Sequence, residues 1–176
     1  MNAGSSIEVS VMNKNYSTIE KTLPHIMHSV VEGIKVPTLE EAVEYIDAMD
    51  FSLIKRKLMS SDRLLCRQWT SVEVDIAVQY YKNFLYLNKK YIQCYPVLPP
   101  LLEVDEVWHH HIMDTRQYAI DCEGIFGYFF HHYPYFGTRS KEDEENLWVA
   151  FDVVQELHAR EFGRKMIAVW GMNNAL

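Results

Sequence analysis

The stretch TSVEVDIAVQYYKNFLYLNKKY, residues 70–91, decides the fold because it carries the clearest helical pattern in the chain. Thr70 and Glu73 have the spacing of a capping box, in which two side chains satisfy free backbone amides at the start of a helix. Apolar residues then recur every three or four positions, as on one face of a helix. These are Val72, Ile76, Tyr80, Phe84, Leu87 and Tyr91. We predict a central core helix from about Ser71 to Tyr91.

Helical patterns recur on both sides of this segment, each bounded by a capping residue, proline or glycine. Before it, we predict a helix at residues 18–31, a second that begins at a Thr38/Glu41 capping box, and a third at residues 51–59. After it, the prolines at 96, 99 and 100 precede a helix that begins at Leu101 or Leu102. A short helix from Asp114 to about Gly124 and a long helix from Ser140 to Gly163 follow. Residues 1–16 are polar and predict a flexible arm or an edge strand, whereas residues 166–176 predict a strand or a cover for the core. Residues 124–137, with seven aromatic rings, predict a packed loop or a broken helix. The expected fold is mainly α: a single-domain bundle of about five to seven helices over residues 17–176.

Length and composition agree with one globular domain. The chain has 176 residues, of which 48% are hydrophobic and 23% charged, and domains commonly hold about 100–200 residues. The net charge of −7 repels phosphate backbones and anionic lipid, so we expect neither a nucleic-acid partner nor a membrane surface. A basic protein is the partner that this charge favours.

The cysteines and the N-terminal sequence indicate a cytoplasmic protein. Cys66, Cys94 and Cys122 are odd in number and form no CxxC pair, which is not the pattern of a disulfide framework. The first residues have no basic segment followed by an apolar stretch, as a secretion signal would. We also expect Cys66 and Cys94 to lie in the core.

Histidines are concentrated in one region: five of the eight lie between residues 109 and 132, in VDEVWHHHI and FFHHYPYFG. On a helix, Asp105 and His109 are four residues apart and share a face, whereas His109 and His111 point nearly opposite ways. Imidazole and carboxylate groups suit Zn²⁺ or Fe²⁺, and catalytic sites commonly use about three protein ligands. We therefore take Asp105 and His109 as metal ligands, with His131 or His132 as the third, and leave open whether the metal is zinc or iron.

Each of these residues also has a plain structural interpretation. Asp105 and His109 can form an ordinary i,i+4 hydrogen bond, and His131 and His132 can stack on neighbouring aromatic rings. We expect His110 to face solvent, and His158 to be a core histidine with both nitrogens satisfied.

Two further residues are candidates for catalysis, His111 and Cys122. A thiolate of low pKa near histidine acts as a nucleophile, although a buried and inert thiol is the commoner case. We find no Gly-rich phosphate loop, GxSxG or HExxH motif, and so expect no nucleotide cofactor.

Residues 101–137 resemble the glycine-rich domain-containing protein-like family, in particular its short bacterial members. The resemblance rests on Val104, Asp105, Trp108, His109, His111, Tyr118, Asp121, Cys122, Gly127, His131, His132 and Pro134. It implies an all-helical module and draws attention to the Asp, His and Cys positions, but it names no reaction.

Three hypotheses for the function follow. The first is a metal-binding protein, extending to a small metal-dependent hydrolase. The second is a non-catalytic interaction module, like an immunity or adaptor protein, in which the His/aromatic cluster is structural. The third is acid/base chemistry without a metal, in which Asp105 orients His109.

Overall fold

The structure, a computed structural model, describes residues 35–61, 67–95 and 97–170. This part of the chain is mainly α, with six helices and no strand. The helices are α1 Leu39–Ala48, α2 Ser52–Met59, α3 Ser71–Tyr91, α4 Leu102–Met113, α5 Thr115–Phe126 and α6 Lys141–Phe162. The mainly α fold predicted from the periodicity is confirmed.

The helix starts are where capping residues predict them. Thr38 and Thr70 each form a complete capping box, with Glu41 and Glu73 respectively. The Ser140 side chain accepts a hydrogen bond from the backbone amide of Asp143 and begins α6. These local bonds satisfy amides that no earlier turn can pair, so side chains close in sequence mark the boundary.

Helix α3 lies at the centre, because each of the other five helices packs against it. Burial therefore extends around most of its circumference and includes Val74, Ala77 and Tyr81 as well as Phe84. The predicted one-sided stripe is wrong at its first position, where Val72 is 52% exposed. A helix surrounded by neighbours has no single buried face, so the 3.6-residue period describes it only in part.

Residues 165–170, which follow α6, cover the core without forming a strand. Gly163 ends α6 in the left-handed conformation, with φ of 79°, as glycine does at many helix ends. Met166 and Val169 are then buried, and the backbone amide of Val169 donates to Oε1 of the buried Glu103 at 2.7 Å. Of the two predictions for this segment, the core cover is the one that residues 165–170 adopt.

The predicted arm at 1–16 and the predicted helix at 18–31 lie outside the described residues, as do Cys66 and residues 171–176. Within the described ranges, no helix is both long enough and apolar enough to cross a membrane.

Candidate metal centre

Helix α4 holds the first two residues of the site. Asp105 lies in its first turn and His109 one turn later, so both side chains project from the same side of the helix. Nε2 of His109 lies 3.6 Å from Oδ2 of Asp105. The shared face predicted from the spacing of four residues is confirmed.

The third residue, His132, comes from the loop that follows α5. Gly127 ends α5 with φ of 76°, and a Cβ at this position would lie 3.0 Å from the Lys35 carbonyl oxygen and 3.0 Å from the Val36 Cα. Glycine suits this close turn because it tolerates positive φ and has no side chain. The turn leads into the loop, where Nε2 of His132 lies 2.9 Å from Oδ1 of Asp105.

Aromatic packing fixes the position of this loop. The Trp108 ring stacks on Phe130, with centroids 5.3 Å apart, and meets the His132 ring edge-on at 4.5 Å. Trp108 Nε1 donates to the Tyr118 hydroxyl, which in turn donates to the Phe130 carbonyl oxygen. His132 is therefore held in place before any ligand binds, which is a requirement for a defined metal site.

Asp105, His109 and His132 lie close enough together to be candidates for holding a metal ion. Each offers one ligand atom, and these atoms lie within 4.8 Å of one another. Around tetrahedral zinc with bonds of about 2.0–2.2 Å, ligand atoms are about 3.3 Å apart. The two short distances involve different oxygens of Asp105, 2.9 Å from Oδ1 to His132 and 3.6 Å from Oδ2 to His109, so the group is wider than a closed tetrahedral set. His109 has a half-exposed side chain, and its ring lies against the His132 ring with centroids 4.8 Å apart.

His131 does not join this group. It is exposed and packs against the Phe129 ring, with centroids 4.9 Å apart. Neighbouring residues in an extended segment point in opposite directions, so only one of the two histidines faces Asp105. The sequence left the choice between His131 and His132 open, and the described geometry selects His132.

A cavity of about 240 Å³ adjoins the cluster. Asp105, His131 and His132 lie on its wall, and most of the remaining wall is apolar or aromatic. The cavity therefore gives access to Asp105 and His132, two of the three clustered residues.

His111 points to the other side of α4, as the spacing of two residues from His109 predicts. It is 3% exposed, and both of its nitrogens have partners: Nδ1 lies 2.8 Å from the Tyr81 hydroxyl and Nε2 lies 2.8 Å from Oδ2 of Asp121. Asp121 also accepts hydrogen bonds from the Tyr45 hydroxyl and from Gln117, each at 2.8 Å. We call these five residues the Asp121 network.

A neutral His111 satisfies every member of the Asp121 network. Nε2–H donates to the Asp121 carboxylate, and Nδ1 accepts from the Tyr81 hydroxyl. Burial alone would raise the pKa of Asp121, but the bonds from His111, Tyr45 and Gln117 outweigh it and hold the pKa below its ordinary value. Neither nitrogen of His111 is left for a substrate proton, so this geometry favours a structural role over the predicted catalytic one.

Cys122 is a poor nucleophile in this fold. It is buried, and burial raises the pKa of its thiol to about 11. A thiol that stays protonated at neutral pH does not supply the thiolate that nucleophilic attack requires. The alternative of a buried, inert cysteine agrees with the structure.

Two predictions of exposure are wrong. His110 is 8% exposed, because α2 packs against α4 and places Lys57 near the His110 ring. Cys94 is exposed, because it lies in the turn after α3 rather than on a packed face. In both cases the sequence pattern could not show which neighbouring element covers the position.

The prediction for His158 is confirmed. It is 1% exposed, its Nδ1 lies 2.6 Å from the Arg164 carbonyl oxygen, and its Nε2 lies 2.9 Å from Nδ2 of Asn83. Burial lowers the pKa of His158, and the neutral ring satisfies both partners.

Sequence reasoning missed the residues that α1 and α3 contribute. Tyr45 and Tyr81 complete the Asp121 network, and Asn88 lies on the wall of the cavity beside the metal cluster. Asn88 had a readable signal, since a polar residue between the apolar positions Leu87 and Tyr91 of a core helix calls for a partner. The two tyrosines had none, because a tyrosine on a helix face is usually core.

The sequence of the helical core matches a known protein family. A family model described as UCP032817-like matches residues 41–156, more than half of the chain. The chain belongs to the UCP032817-like family. No curated protein and no solved structure is significantly similar to it.

Membership of the UCP032817-like family corrects the resemblance to the glycine-rich domain-containing protein-like family, which is wrong. Several of the positions that suggested that resemblance, including Val104, Tyr118 and Cys122, are buried packing residues. A short motif made largely of such positions reflects how a helix pair packs, so it discriminates weakly between families. The UCP032817-like match spans α1 to most of α6 and covers the whole candidate site.

Proposed function

We propose that this UCP032817-like protein binds a divalent transition metal, zinc or iron, through Asp105, His109 and His132. The observation that carries the proposal is the convergence of three ligand atoms from two separate elements within 4.8 Å. The donor set of one carboxylate and two imidazoles is one that zinc and non-haem iron accept in proteins.

The local support of the histidines favours metal binding over a simple hydrogen-bonded pair. An i,i+4 pair explains Asp105 with His109, but it does not explain a second histidine brought to the same carboxylate by another element. His132 is one-seventh exposed at its side chain and is held by Trp108. A rigid histidine beside a movable one suits a site that closes around an ion.

We also propose that the bound metal supports hydrolase-type activity. Three protein ligands leave a fourth tetrahedral position, and a divalent ion there acidifies a bound water molecule and polarises acyl or phosphoryl oxygens. The adjoining cavity supplies a place for the rest of a substrate.

The test is metal analysis of untagged protein, with isothermal titration of zinc and of ferrous iron under anaerobic conditions. The variants are His109→Ala and His132→Ala, and His131→Ala is the matched control, because His131 neighbours His132 but lies outside the cluster. We expect one equivalent of metal in the unmodified protein and in His131→Ala, and none in the other two.

Stability gives a second readout. An ion at 100 times its dissociation constant stabilises the folded state by about 2.7 kcal/mol, which raises the midpoint of thermal unfolding by about 5–10 °C for a chain of this size. An unmodified protein that binds no metal, or loss of metal in His131→Ala with retention in His109→Ala, would overturn the proposed ligand set.

The basic protein partner expected from the net charge stays a prediction. The Asp121 network supports one part of the interaction-module hypothesis, namely that some of the His/aromatic cluster is structural, but it identifies no partner.

A further inference from the structure

The cavity beside the metal cluster has the size and lining of a small-molecule site. Its volume is about 240 Å³, whereas a protein cavity of about 150 Å³ binds one benzene ring. The space therefore holds a ring with short substituents. Trp108 and Phe130 contribute aromatic surface, and Val97, Leu98 and Leu147 contribute aliphatic surface.

One buried polar group faces this apolar space. Asn88 is 2% exposed and lines the cavity. Its Nδ2 donates to the Phe84 carbonyl oxygen at 2.9 Å, which fixes the orientation of the amide, since two oxygens facing each other would form no bond. Among the described residues, no hydrogen bond to Oδ1 of Asn88 occurs. This oxygen is not among the wholly buried polar atoms that lack a partner, so it is accessible from the cavity, and a hydrogen-bond donor on the ligand can bond to it there.

The charge of the metal site defines the other end of the ligand. A divalent ion held by one carboxylate and two neutral imidazoles keeps a net positive charge, which an anionic group on the ligand neutralises. A carboxylate is an oxygen ligand that both zinc and iron accept. Asp105 and His132 lie on the cavity wall, so a carboxylate in the cavity lies next to two of the three proposed ligands.

We propose that the cavity binds a small aromatic carboxylate that carries a hydroxyl group. The carboxylate coordinates the metal, the ring lies against Trp108 and the aliphatic wall, and the hydroxyl donates to Oδ1 of Asn88. This inference rests on the proposed metal site and specifies the class of molecule that the site recognises.

The test compares three probes by isothermal titration: phenylacetate, 3-hydroxyphenylacetate and 4-hydroxyphenylacetate, each against zinc-loaded and metal-free protein. A neutral hydrogen bond changes affinity by about fivefold. We expect at least one hydroxylated probe to bind the zinc-loaded protein about fivefold more tightly than phenylacetate, and all three to bind the metal-free protein at least tenfold more weakly.

Two variants assign the contacts. Asn88→Leu removes the acceptor and leaves the Phe84 carbonyl with its helical hydrogen bond, so the helix is retained. In this variant the hydroxylated probe should bind no more tightly than phenylacetate. Val97→Phe fills the cavity from a partly exposed loop position; it should bind zinc normally and lose all three probes. Circular dichroism and zinc titration verify that both variants are folded and loaded.

The outcomes separate the two proposals. Zinc binding without probe binding, or an equal preference for the hydroxyl in Asn88→Leu, overturns the ligand assignment and leaves the metal site intact. Absence of zinc binding overturns the metal site, and the ligand assignment is overturned with it.

Discussion

Replacement of Asp121 by alanine tests the claim that the Asp121 network is structural. The carboxylate accepts three hydrogen bonds, but their losses are unequal. Gln117 is exposed and Tyr45 is partly exposed beside a second cavity of about 430 Å³, so water replaces the acceptor for both. His111 also lines that cavity but is only 3% exposed, so it is the partner with the least access to water.

The magnitude follows from that one orphaned group. A buried donor without an acceptor costs about 1–3 kcal/mol, and the small void left by the carboxylate adds about 1 kcal/mol. His111 cannot lower this cost by changing its tautomer. With the proton on Nδ1, the ring would donate to the Tyr81 hydroxyl, and the buried Tyr81 proton would then have no acceptor. We expect Asp121→Ala to lower the free energy of unfolding by about 2–4 kcal/mol, measured by urea denaturation at pH 7.

Asp121→Asn is the matched control, because its amide keeps an oxygen for His111 and replaces the other oxygen by an NH2 group, to which Tyr45 and the exposed Gln117 can turn an acceptor. Its expected loss is about 1 kcal/mol. Since the pKa of Asp121 is held below its ordinary value in the fold, the carboxylate stabilises above pH of about 4, and the advantage over Asn shrinks as pH falls below that. A loss below 0.5 kcal/mol for Asp121→Ala would refute the structural role and return His111 to the catalytic candidates.

Three further predictions concern other parts of the fold. Burial lowers the pKa of His158, so the unfolded chain takes up a proton near pH 6.5, before the folded chain does. The free energy of unfolding therefore falls as the pH drops below about 6.5. We expect His158→Asn to flatten this part of the pH profile measured by urea denaturation. Gly124→Ala places a Cβ 2.4 Å from the Tyr45 ring, so we expect a net loss of about 1–2 kcal/mol despite better helix propensity, and a gain instead in a Tyr45→Ala background. Cys94 is exposed, whereas Cys122 is buried and the pKa of its thiol is raised to about 11. We therefore expect iodoacetamide at pH 8 to label Cys94 at least 100 times faster than Cys122, as measured by mass spectrometry. Equal labelling rates would contradict the buried position of Cys122.

The helix boundaries were predictable because the interactions that set them are local. Capping boxes at Thr38 and Thr70, and the glycine at 163, act within four residues of the boundary that they mark. Only short-range chemistry is needed to read them. The burial of α3 was not predictable in the same way, because Val74 and Tyr81 are covered by helices distant in sequence.

The candidate metal site was predictable only in part for the same reason. Asp105 and His109 lie on one helix, so their shared face follows from their spacing. The third ligand depends on the path of the loop after Gly127 and on the stacking of Phe130 against Trp108. No local pattern distinguishes His131 from His132.

The histidines on the two sides of α4 differ in how their ring nitrogens are hydrogen-bonded. His111 uses both ring nitrogens on protein partners, and the neutral ring satisfies each of them. His109 and His132 approach the two oxygens of one carboxylate through Nε2, His109 at Oδ2 and His132 at Oδ1 of Asp105. A cation placed between the three groups would engage both rings and the carboxylate charge at once, which is the physical reason for the metal site that we propose. The side of α4 that holds Asp105 is therefore where we propose that a ligand binds, whereas both ring nitrogens of His111 on the other side already have partners.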